Sequence, residues 1–290
     1  MPLPEAPVIM ETEEFGRALL LADTHVGYEF ELVIKGVRVP RQTSRIIEHI
    51  LNLAEREHVN SIIILGDVKH EIPVAIETAK EVINFLKNLA SHVESLVLIQ
   101  GNHDGKIDKL VEKTECKNIR VIESRGILVH LTTGKCALLL HGNAKPRPRD
   151  FAEADILVMG HTHPAVSLRD ALGYVAREAV IVRAQVPKID IVNRMYRKEE
   201  VKDLVIRPED NITIVILPCA NPLITGTDIT RTLLQQHPTS RTILTYFQLW
   251  KHVDKIEVYL HDFTYLGTLD MLLELEKIVA TREKVDWDLL

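Results

Sequence analysis

Five short apolar runs along the chain each end abruptly in polar residues. Continuous apolar runs of this length, closed by turn residues, are typical of β-strands that are buried on both faces. The pattern therefore predicts five buried strands, at Ala18–Ala22, Ile62–Leu65, Leu96–Ile99, Ala137–Leu140 and Ile156–Met159.

Helical periodicity separates the first three of these runs. Apolar residues recur at helical spacing over Ile46–Ala54, after a candidate cap at Thr43 or Ser44. The same spacing recurs over Ile76–Ala90, after Pro73. The alternation of strand, helix, strand, helix and strand is characteristic of an α/β fold with a layered sheet.

The rest of the chain carries weaker patterns. Three further strands are predicted, at Ala179–Arg183, Ile212–Leu217 and Lys255–Leu260. One amphipathic helix is predicted at Met271–Val279. Two polar segments, Arg194–Asp203 and Asn221–Ser240, are interpreted as surface loops. The stretch after about residue 225 is short for an independent core, so residues 226–290 are predicted to add strands and a helix to the domain formed by residues 1–225.

The composition is that of an ordinary globular protein, with 46% hydrophobic and 26% charged residues among 290. The start of the chain lacks the features of a secretory signal, and no apolar run reaches membrane-spanning length, so we expect a cytoplasmic protein without a membrane segment. Three cysteines without metal-site spacing indicate free thiols in a reducing compartment. The formal charge of −6 argues against broad coating of nucleic acid but leaves room for a local phosphate site.

Each of the five apolar runs is followed by Asp, His or Asn residues. In α/β sheets, ligands bind beyond the carboxyl ends of the strands, so these residues are expected to meet at one rim. Polarity at a strand end that merely reaches water would explain one or two cases, but it explains five poorly. The polar sequences are Asp23-Thr24-His25, Gly66-Asp67, Gly101-Asn102-His103-Asp104, His141-Gly142-Asn143 and Gly160-His161-Thr162-His163.

These side chains are imidazoles, carboxylates and one amide. Mixed nitrogen and oxygen ligands suit divalent Mn, Fe, Co, Ni or Zn, whereas Mg and Ca sites consist mostly of oxygen ligands. The set contains no cysteine, which argues against a structural zinc site. The residues therefore predict a divalent-metal site at the rim.

The order D-x-H, G-D, G-N-H-D, H-G and G-H-x-H, from Asp23 to His163, resembles the calcineurin-like metallophosphoesterase superfamily. The resemblance implies a four-layer α/β/β/α fold, in which a two-sheet β-sandwich core is flanked by helices. Three segments are also similar to archaeal phosphoesterases related to the SbcD nuclease subunit. They are Ala22–Glu29, Leu65–His70 and Leu217–Leu223.

The resemblance further implies two divalent metal ions, with manganese expected. It implies that a hydroxide held by the two ions attacks the phosphorus in line, with no covalent enzyme intermediate. Asp67 would bridge the ions. The ligands implied for the first ion are Asp23, His25, Asp67 and His163, and those implied for the second are Asp67, Asn102, His141 and His161.

His103 is not a ligand in the family pattern. The resemblance implies that this histidine faces the substrate and is oriented by the carboxylate that follows it, here Asp104. An imidazole held in this way can stay protonated and donate a proton to the leaving oxygen.

Several other residues permit two interpretations. Lys145–Arg149 is a short basic run that either binds a substrate phosphate or nucleic-acid backbone or forms a solvated loop, and Arg38 and Arg41 pose the same choice. His70 is a candidate for support of the metal ligands. Pocket lining and packing are equally compatible with Tyr28 and Glu29.

We therefore predict an enzyme that hydrolyses phosphodiesters with divalent metal ions and that has a role near nucleic-acid processing. The alternatives are a phosphomonoesterase or nucleotide phosphatase and a non-catalytic interaction scaffold. The scaffold is disfavoured because every expected ligand position is filled. Protein partners and the oligomeric state are not predicted.

Overall fold

Two stacked β-sheets form the centre of the structure, a computed structural model that describes residues 8–70, 75–169, 174–234, 252 and 254–287. The first sheet has the order β1-β2-β3-β4-β5, with β1 antiparallel to β2 and the other neighbours parallel. Its strands are β1 (Val8–Thr12), β2 (Gly16–Leu21), β3 (Ser61–Leu65), β4 (Ser95–Ile99) and β5 (Ile119–Ile122).

The second sheet has the order β12-β9-β10-β11-β8-β7-β6, and β13 pairs with both β10 and β14. Within it, β7, β8 and β11 run parallel to one another. Its strands are β6 (Ile127–His130), β7 (Cys136–Leu140), β8 (Ile156–Met159), β9 (Pro164–Arg169), β10 (Val175–Pro187), β11 (Asn211–Ile216), β12 (Thr227–Asp228), β13 (Ile256–Leu260) and β14 (Tyr265–Thr268).

Helices cover the outer faces of both sheets. No helix in the described part of the chain is long and apolar enough to cross a membrane. The helices are α1 (Tyr28–Ile34), α2 (Thr43–Arg56), α3 (Ile76–Ala90), α4 (Ile107–Glu112), α5 (Pro148–Glu153), α6 (Lys188–Met195), α7 (Lys198–Val201), α8 (Ile229–Leu234) and α9 (Leu269–Trp287).

The alternation of side chains along β3 explains the layering. Ile62 and Ile64 pack among residues of α2, α3 and α4, whereas Ile63 and Leu65 pack between the two sheets. Because successive side chains of a strand point to opposite faces, a continuous apolar run supplies both layers at once. In the second sheet, β7 likewise points alternate side chains towards α5 and α6 and towards the space between the two sheets. The predicted fold, two sheets flanked by helices, is confirmed.

The structure also bears out most of the predicted elements. The five predicted strands are β2, β3, β4, β7 and β8, and the three later ones lie in β10, β11 and β13. The predicted helices are α2, α3 and α9. The expected cap of α2 is wrong, because Gln42 occupies the cap position and makes no side-chain capping hydrogen bond.

Both segments interpreted as loops contain regular structure. Within Arg194–Asp203, α6 ends and α7 begins, and the Arg197 amide at the start of α7 donates to Glu200 Oε2 at 2.8 Å. Charged residues form this helix because the capping contact replaces a hydrogen bond that its first turn lacks. Asn221–Ser240 contains β12 and α8, and its residues 235–240 lie outside the described residues.

Candidate metal centre

The loops after five strands meet at one edge of the sandwich. Three follow β2, β3 and β4 of the first sheet, and two follow β7 and β8 of the second. Backbone hydrogen bonds join the loops within each sheet, as in His25 N to Asp67 O at 2.8 Å and Gly160 N to His141 O at 3.1 Å. The His161 amide donates to Asp23 Oδ2 at 2.8 Å and so links the two sheets.

Two groups made up entirely of expected ligands offer ligand atoms for a metal ion, and a third group, His25, His70 and His103, does so as well. The atoms of each group lie within 4.8 Å of one another. In each of the two groups of expected ligands, two of the three residues are buried, and the remaining histidine is half-buried. These two groups consist of Asp23, His25 and His163, and of Asp67, His141 and His161.

Asp67 belongs to the second group and also faces the first. Its Oδ2 atom is 3.7 Å from His25 Nε2 and 3.4 Å from His141 Nε2. His141 Nε2 is also 3.2 Å from Asn102 Oδ1 and 3.0 Å from His161 Nδ1. The structure therefore brings together all seven residues for which a ligand role was expected.

The donor set fits divalent ions. Asp23 Oδ1 is buried and makes no hydrogen bond to a described residue, yet it lies 3.3 Å from His163 Nε2. A buried carboxylate oxygen without a donor needs a cation. The other ring nitrogen of His141, Nδ1, donates to Leu65 O at 2.9 Å, which leaves Nε2 as the ligand atom. A backbone carbonyl commonly orients metal-binding histidines in this way.

Five of these residues have left-handed backbone conformations. Their φ angles are 57° for Asp23, 39° for His25, 50° for Asp67, 72° for His161 and 45° for His163. Non-glycine residues adopt positive φ rarely, at a cost of about 1–3 kcal/mol each, and such strain concentrates at functional sites. The ligand loops are therefore bent out of strand geometry to aim these side chains.

Glycines allow the loops to approach one another closely. A Cβ atom at Gly66 would collide with the His141 ring, and one at Gly101 would collide with Asp67. At Gly160, a Cβ atom would lie 2.5 Å from Asp23 Oδ2. Packing of neighbouring ligands therefore requires the glycine of each of these three motifs.

The profile of the calcineurin-like phosphoesterase superfamily domain matches residues 17–182, a span that contains every candidate ligand. The chain belongs to this superfamily. It is therefore a metal-dependent hydrolase of phosphoester bonds. The narrower similarity to archaeal phosphoesterases related to SbcD stays a prediction.

Solved structures related to this superfamily member are distant in sequence. Nuclease MPE from Pseudomonas putida is 18% identical and aligns with a TM-score of 0.46 over 89% of this chain and 98% of that chain. An archaeal phosphodiesterase is 20% identical and aligns with a TM-score of 0.33 over 53% of this chain and 78% of that chain. No curated protein matches the chain. The family assignment therefore rests on the profile match.

His103 and Asp104 have partners other than those expected. The Asp104 carboxylate accepts the amide hydrogens of Gly101, at 2.9 Å, and Lys69, at 3.3 Å, while His103 Nδ1 is bonded to the carbonyl oxygen of His70 at 2.5 Å. The expectation that Asp104 orients the His103 ring is therefore wrong. The buried carboxylate turns towards backbone donors instead, and burial raises its pKa to about 6.

The buried histidine and carboxylates of the candidate metal centre shift one another's pKa. Burial acts to lower the pKa of His141, but its pairing with Asp67 and the charge of Asp23 outweigh burial and raise the pKa to about 9. Burial acts to raise the pKa of Asp67, yet the pairing with His141 brings it below the ordinary value. The proton on His141 thus offsets the negative charge of the buried carboxylates. A metal ion bound to these side chains would displace this proton.

His70 contacts the centre through a chain of side chains. Its Nδ1 atom is 3.3 Å from His25 Nδ1, and its Nε2 atom is paired with the Glu31 carboxylate. Its ring stacks on that of His103 at 5.3 Å between centroids. The spacing G-D-x-x-H indicated His70, but no signal in the sequence indicated Glu31, which comes from α1.

Cys219 and Asn221 support the first ligand loop from behind. Cys219 Sγ contacts Asp23 O at 2.9 Å, and the Asn221 amide donates to Thr24 O at 3.0 Å and His25 O at 3.2 Å. The similarity of Leu217–Leu223 to archaeal phosphoesterases was the only sequence signal for these contacts. Their role becomes visible once the segment is placed beside β2.

Lys69 is a buried residue that the sequence did not indicate. It is 1% exposed, and its ammonium group donates to the carbonyl oxygen of His103. A buried ammonium group must be well paired. Lys69 therefore holds the loop that carries Asn102 and His103.

The basic run is neutralised within the chain. Lys145 pairs with Glu200 at 2.8 Å, and Arg149 pairs with Glu153 at 2.8 Å. Arg147 pairs with Glu123 and Asp150. Of its two interpretations, a solvated surface segment is favoured over a phosphate-binding site.

Proposed function

We propose that the chain is a phosphodiesterase that works with two divalent metal ions. The position of Asp67 carries this proposal, because one of its oxygens faces His25 at 3.7 Å and His141 at 3.4 Å, one histidine from each group. A carboxylate in such a position is suited to bridge two ions, and two-metal sites clamp the attacking and leaving oxygens of an in-line displacement.

The residues for each ion are those implied by the family pattern. When bound, the ions would lower the pKa of water and offset negative charge on the phosphate. Imidazole, carboxylate and amide donors together support Mn²⁺ ahead of Mg²⁺, with Fe, Co, Ni and Zn as the other candidates. The first ion would be held by Asp23, His25, Asp67 and His163, and the second by Asp67, Asn102, His141 and His161.

His103 is proposed to supply the proton for the leaving oxygen. The bond from its Nδ1 atom to His70 O fixes the ring and leaves Nε2 as the atom that delivers the proton. Asp104 acts as a positioning residue, since its carboxylate ties Gly101 to Lys69 across the base of this loop. The proposal thus keeps both residues in the catalytic site but gives Asp104 a different task.

The preference for diesters and the relation to SbcD-like phosphoesterases belong to the same proposal. They are supported by the segments Ala22–Glu29, Leu65–His70 and Leu217–Leu223, the last of which contacts the first ligand loop through Cys219 and Asn221. A role in nucleic-acid processing and a cytoplasmic location are part of this proposal as well.

Metal analysis and a substrate panel test the proposal. The chain should bind two Mn²⁺ ions and hydrolyse bis-p-nitrophenyl phosphate faster than p-nitrophenyl phosphate, with chelation abolishing activity. Asp67→Ala should lose both occupancy and rate. Asp108→Ala, which removes an exposed carboxylate from α4, is the matched control and should keep both. Saturation at one ion would overturn the two-metal proposal, and a preference for the monoester would favour a phosphomonoesterase.

A further inference from the structure

The end of α1, the connection that follows it and the first turn of α2 concentrate positive charge on an acidic protein. Residues 33–45, called here the basic segment, contain four basic residues and no acidic residue, although the chain as a whole has a formal charge of −6. The basic residues are Lys35, Arg38, Arg41 and Arg45.

This segment is anchored at the candidate metal centre. It includes the end of α1, whose first residue, Tyr28, donates its amide to His25 O at 3.1 Å and places its ring 4.8 Å from that of His70. Within the segment, the Gln42 amide donates to the buried Glu29 carboxylate at 2.5 Å. Since α1 rises about 1.5 Å per residue, the segment begins about 8 Å from the Tyr28 contact.

Large aliphatic side chains are exposed beside the basic ones. Ile34 is 80% exposed, Val33 53% and Val37 49%. Exposed aliphatic residues are ordinary when they are scattered, but a cluster beside a functional site indicates a binding surface. The basic segment therefore offers apolar contact and positive charge on one stretch of chain.

Two of the four cations of this segment differ from those of the basic run, whereas Lys35 pairs with Glu31. Arg38 and Arg45 are exposed, and neither forms an ion pair with any residue that the structure describes. Arg41 pairs with Glu81 at 2.7 Å and also lies over the Phe30 ring at 5.7 Å. Charge from Arg38 and Arg45 is thus available to a polyanion, whereas the run at Lys145–Arg149 is offset by neighbouring acids.

We infer that the basic segment binds single-stranded nucleic acid that flanks the scissile phosphate, an inference that rests on the proposed function. The strand would place phosphates against Arg38 and Arg45 and base faces against Val33, Ile34 and Val37. A duplex hides its base faces, so aliphatic contacts of this kind select an unpaired strand.

Binding without turnover tests the charged contacts. The full chain is titrated in EDTA with labelled DNA and RNA single strands of about 12 nucleotides and with the matching duplex. Arg38→Ala combined with Arg45→Ala should reduce the slope of log affinity against log salt by about 1.4, since each single-strand phosphate contact contributes about 0.7. The matched control, Arg147→Ala combined with Arg149→Ala, removes the same charge and should leave the slope unchanged.

A second pair of variants tests the apolar contacts. Ile34→Ser should weaken single-strand binding at least about fourfold, the effect of losing one buried methylene, and should leave duplex binding unchanged. Val205→Ser is the control, because Val205 is 83% exposed but lies after α7. Equal losses for the two serine variants, or for the two arginine pairs, would overturn the inference.

Other outcomes separate this inference from the proposed function. Hydrolysis of bis-p-nitrophenyl phosphate should be unchanged in the segment variants. If wild type cleaves the aryl diester and its single-strand binding does not depend on the segment, the inference alone fails. If wild type binds strands through the segment but shows no diester hydrolysis, the proposed function fails. Flotation with phosphatidylserine vesicles that depends on Ile34 and Arg38, with no effect on strand binding, would assign the segment to a membrane surface instead.

Discussion

Single residues behind the ligands hold the candidate metal centre in its strained shape. Asn221 donates to the carbonyl oxygens of both Thr24 and His25, and His25 has a φ of 39°. A left-handed conformation persists only when its surroundings over-determine it. We therefore expect the amide of Asn221 to support metal binding through the backbone of the first ligand loop.

We predict that Asn221→Ala lowers Mn²⁺ affinity about 10- to 100-fold, as loss of such supporting contacts does in metal sites. It should also lower the free energy of unfolding by about 1–3 kcal/mol, because two buried carbonyl groups lose their donor. Calorimetric titration and denaturant unfolding measure the two effects.

Asn118 provides a matched control for this prediction. Its amide also spans two carbonyl oxygens, those of Ala90 at 2.8 Å and Val93 at 2.9 Å, but it lies beside β5, away from the ligand loops. Asn118→Ala should lose stability and retain metal affinity. The role given to Asn221 would be untenable if both variants lost metal to the same extent.

The second prediction concerns proton transfer. His103→Gln should keep both metal ions and slow cleavage of a DNA or alkyl diester by about 10²- to 10⁴-fold, the usual contribution of a positioned general acid. The loss should shrink for p-nitrophenolate, which leaves readily without a proton. Metal analysis measures ion retention, and turnover of the alkyl and p-nitrophenyl diesters measures the loss of rate on each substrate. A variant that loses metal would make His103 a ligand, and one with an unmodified alkyl-diester rate would leave it without a catalytic role.

At the scale of elements, contacts between the sheets hold the sandwich together away from the metal centre. The turn between β1 and β2 meets the end of β6, where His130 N donates to Glu14 Oε1 at 3.0 Å and His130 Nδ1 lies 2.7 Å from the same atom. The Glu13 amide donates in turn to His130 O at 2.9 Å. This link joins the first sheet to the second.

The link predicts a pH dependence of stability. The hydrogen bond to Glu14 and then its charge raise the pKa of His130, and Glu13 and Glu153 add to the effect. A raised folded pKa means that the contact stabilises fully below the unfolded value of about 6.5 and is lost as pH rises through the folded pKa. His130→Gln should remove this part of the pH dependence of unfolding. An NMR titration of the His130 ring with a midpoint at or below about 6.5 would contradict the prediction.

At the scale of the whole molecule, we propose that residues 226–290 complete the domain formed by residues 1–225. β13 pairs with β10, and four side chains after residue 225 lie in the core outside the second sheet. At about 1.5–3 kcal/mol for each buried side chain, their removal costs about 6–12 kcal/mol, comparable with the whole stability of a domain. The four are Ile229, Ile256, Val258 and Leu269.

A chain that ends at residue 225 should therefore unfold without a cooperative transition and bind no Mn²⁺. Calorimetry and metal analysis of the purified fragment measure both properties. A cooperative transition with two bound ions in the fragment would show instead that residues 1–225 form an independent domain.

The sequence by itself determined the parts of this protein that depend on local information. Apolar runs long enough to be buried on both faces predicted β2, β3, β4, β7 and β8, and the polar residues after them supplied the candidate metal ligands. Both signals are local, because burial and ligand chemistry depend on the residue type. Short or half-exposed elements such as α1 and β5 left no comparable pattern.

Only the tertiary structure decided how these parts meet. It divided the five strand ends between two sheets, brought Asp67 of the second ligand group to face the first, and turned Asp104 away from His103. It also joined Asn221 to Thr24, 197 residues earlier in the chain. Contacts of this kind depend on which faces pack together, and the packing of two sheets is a property of the whole chain that no local pattern encodes.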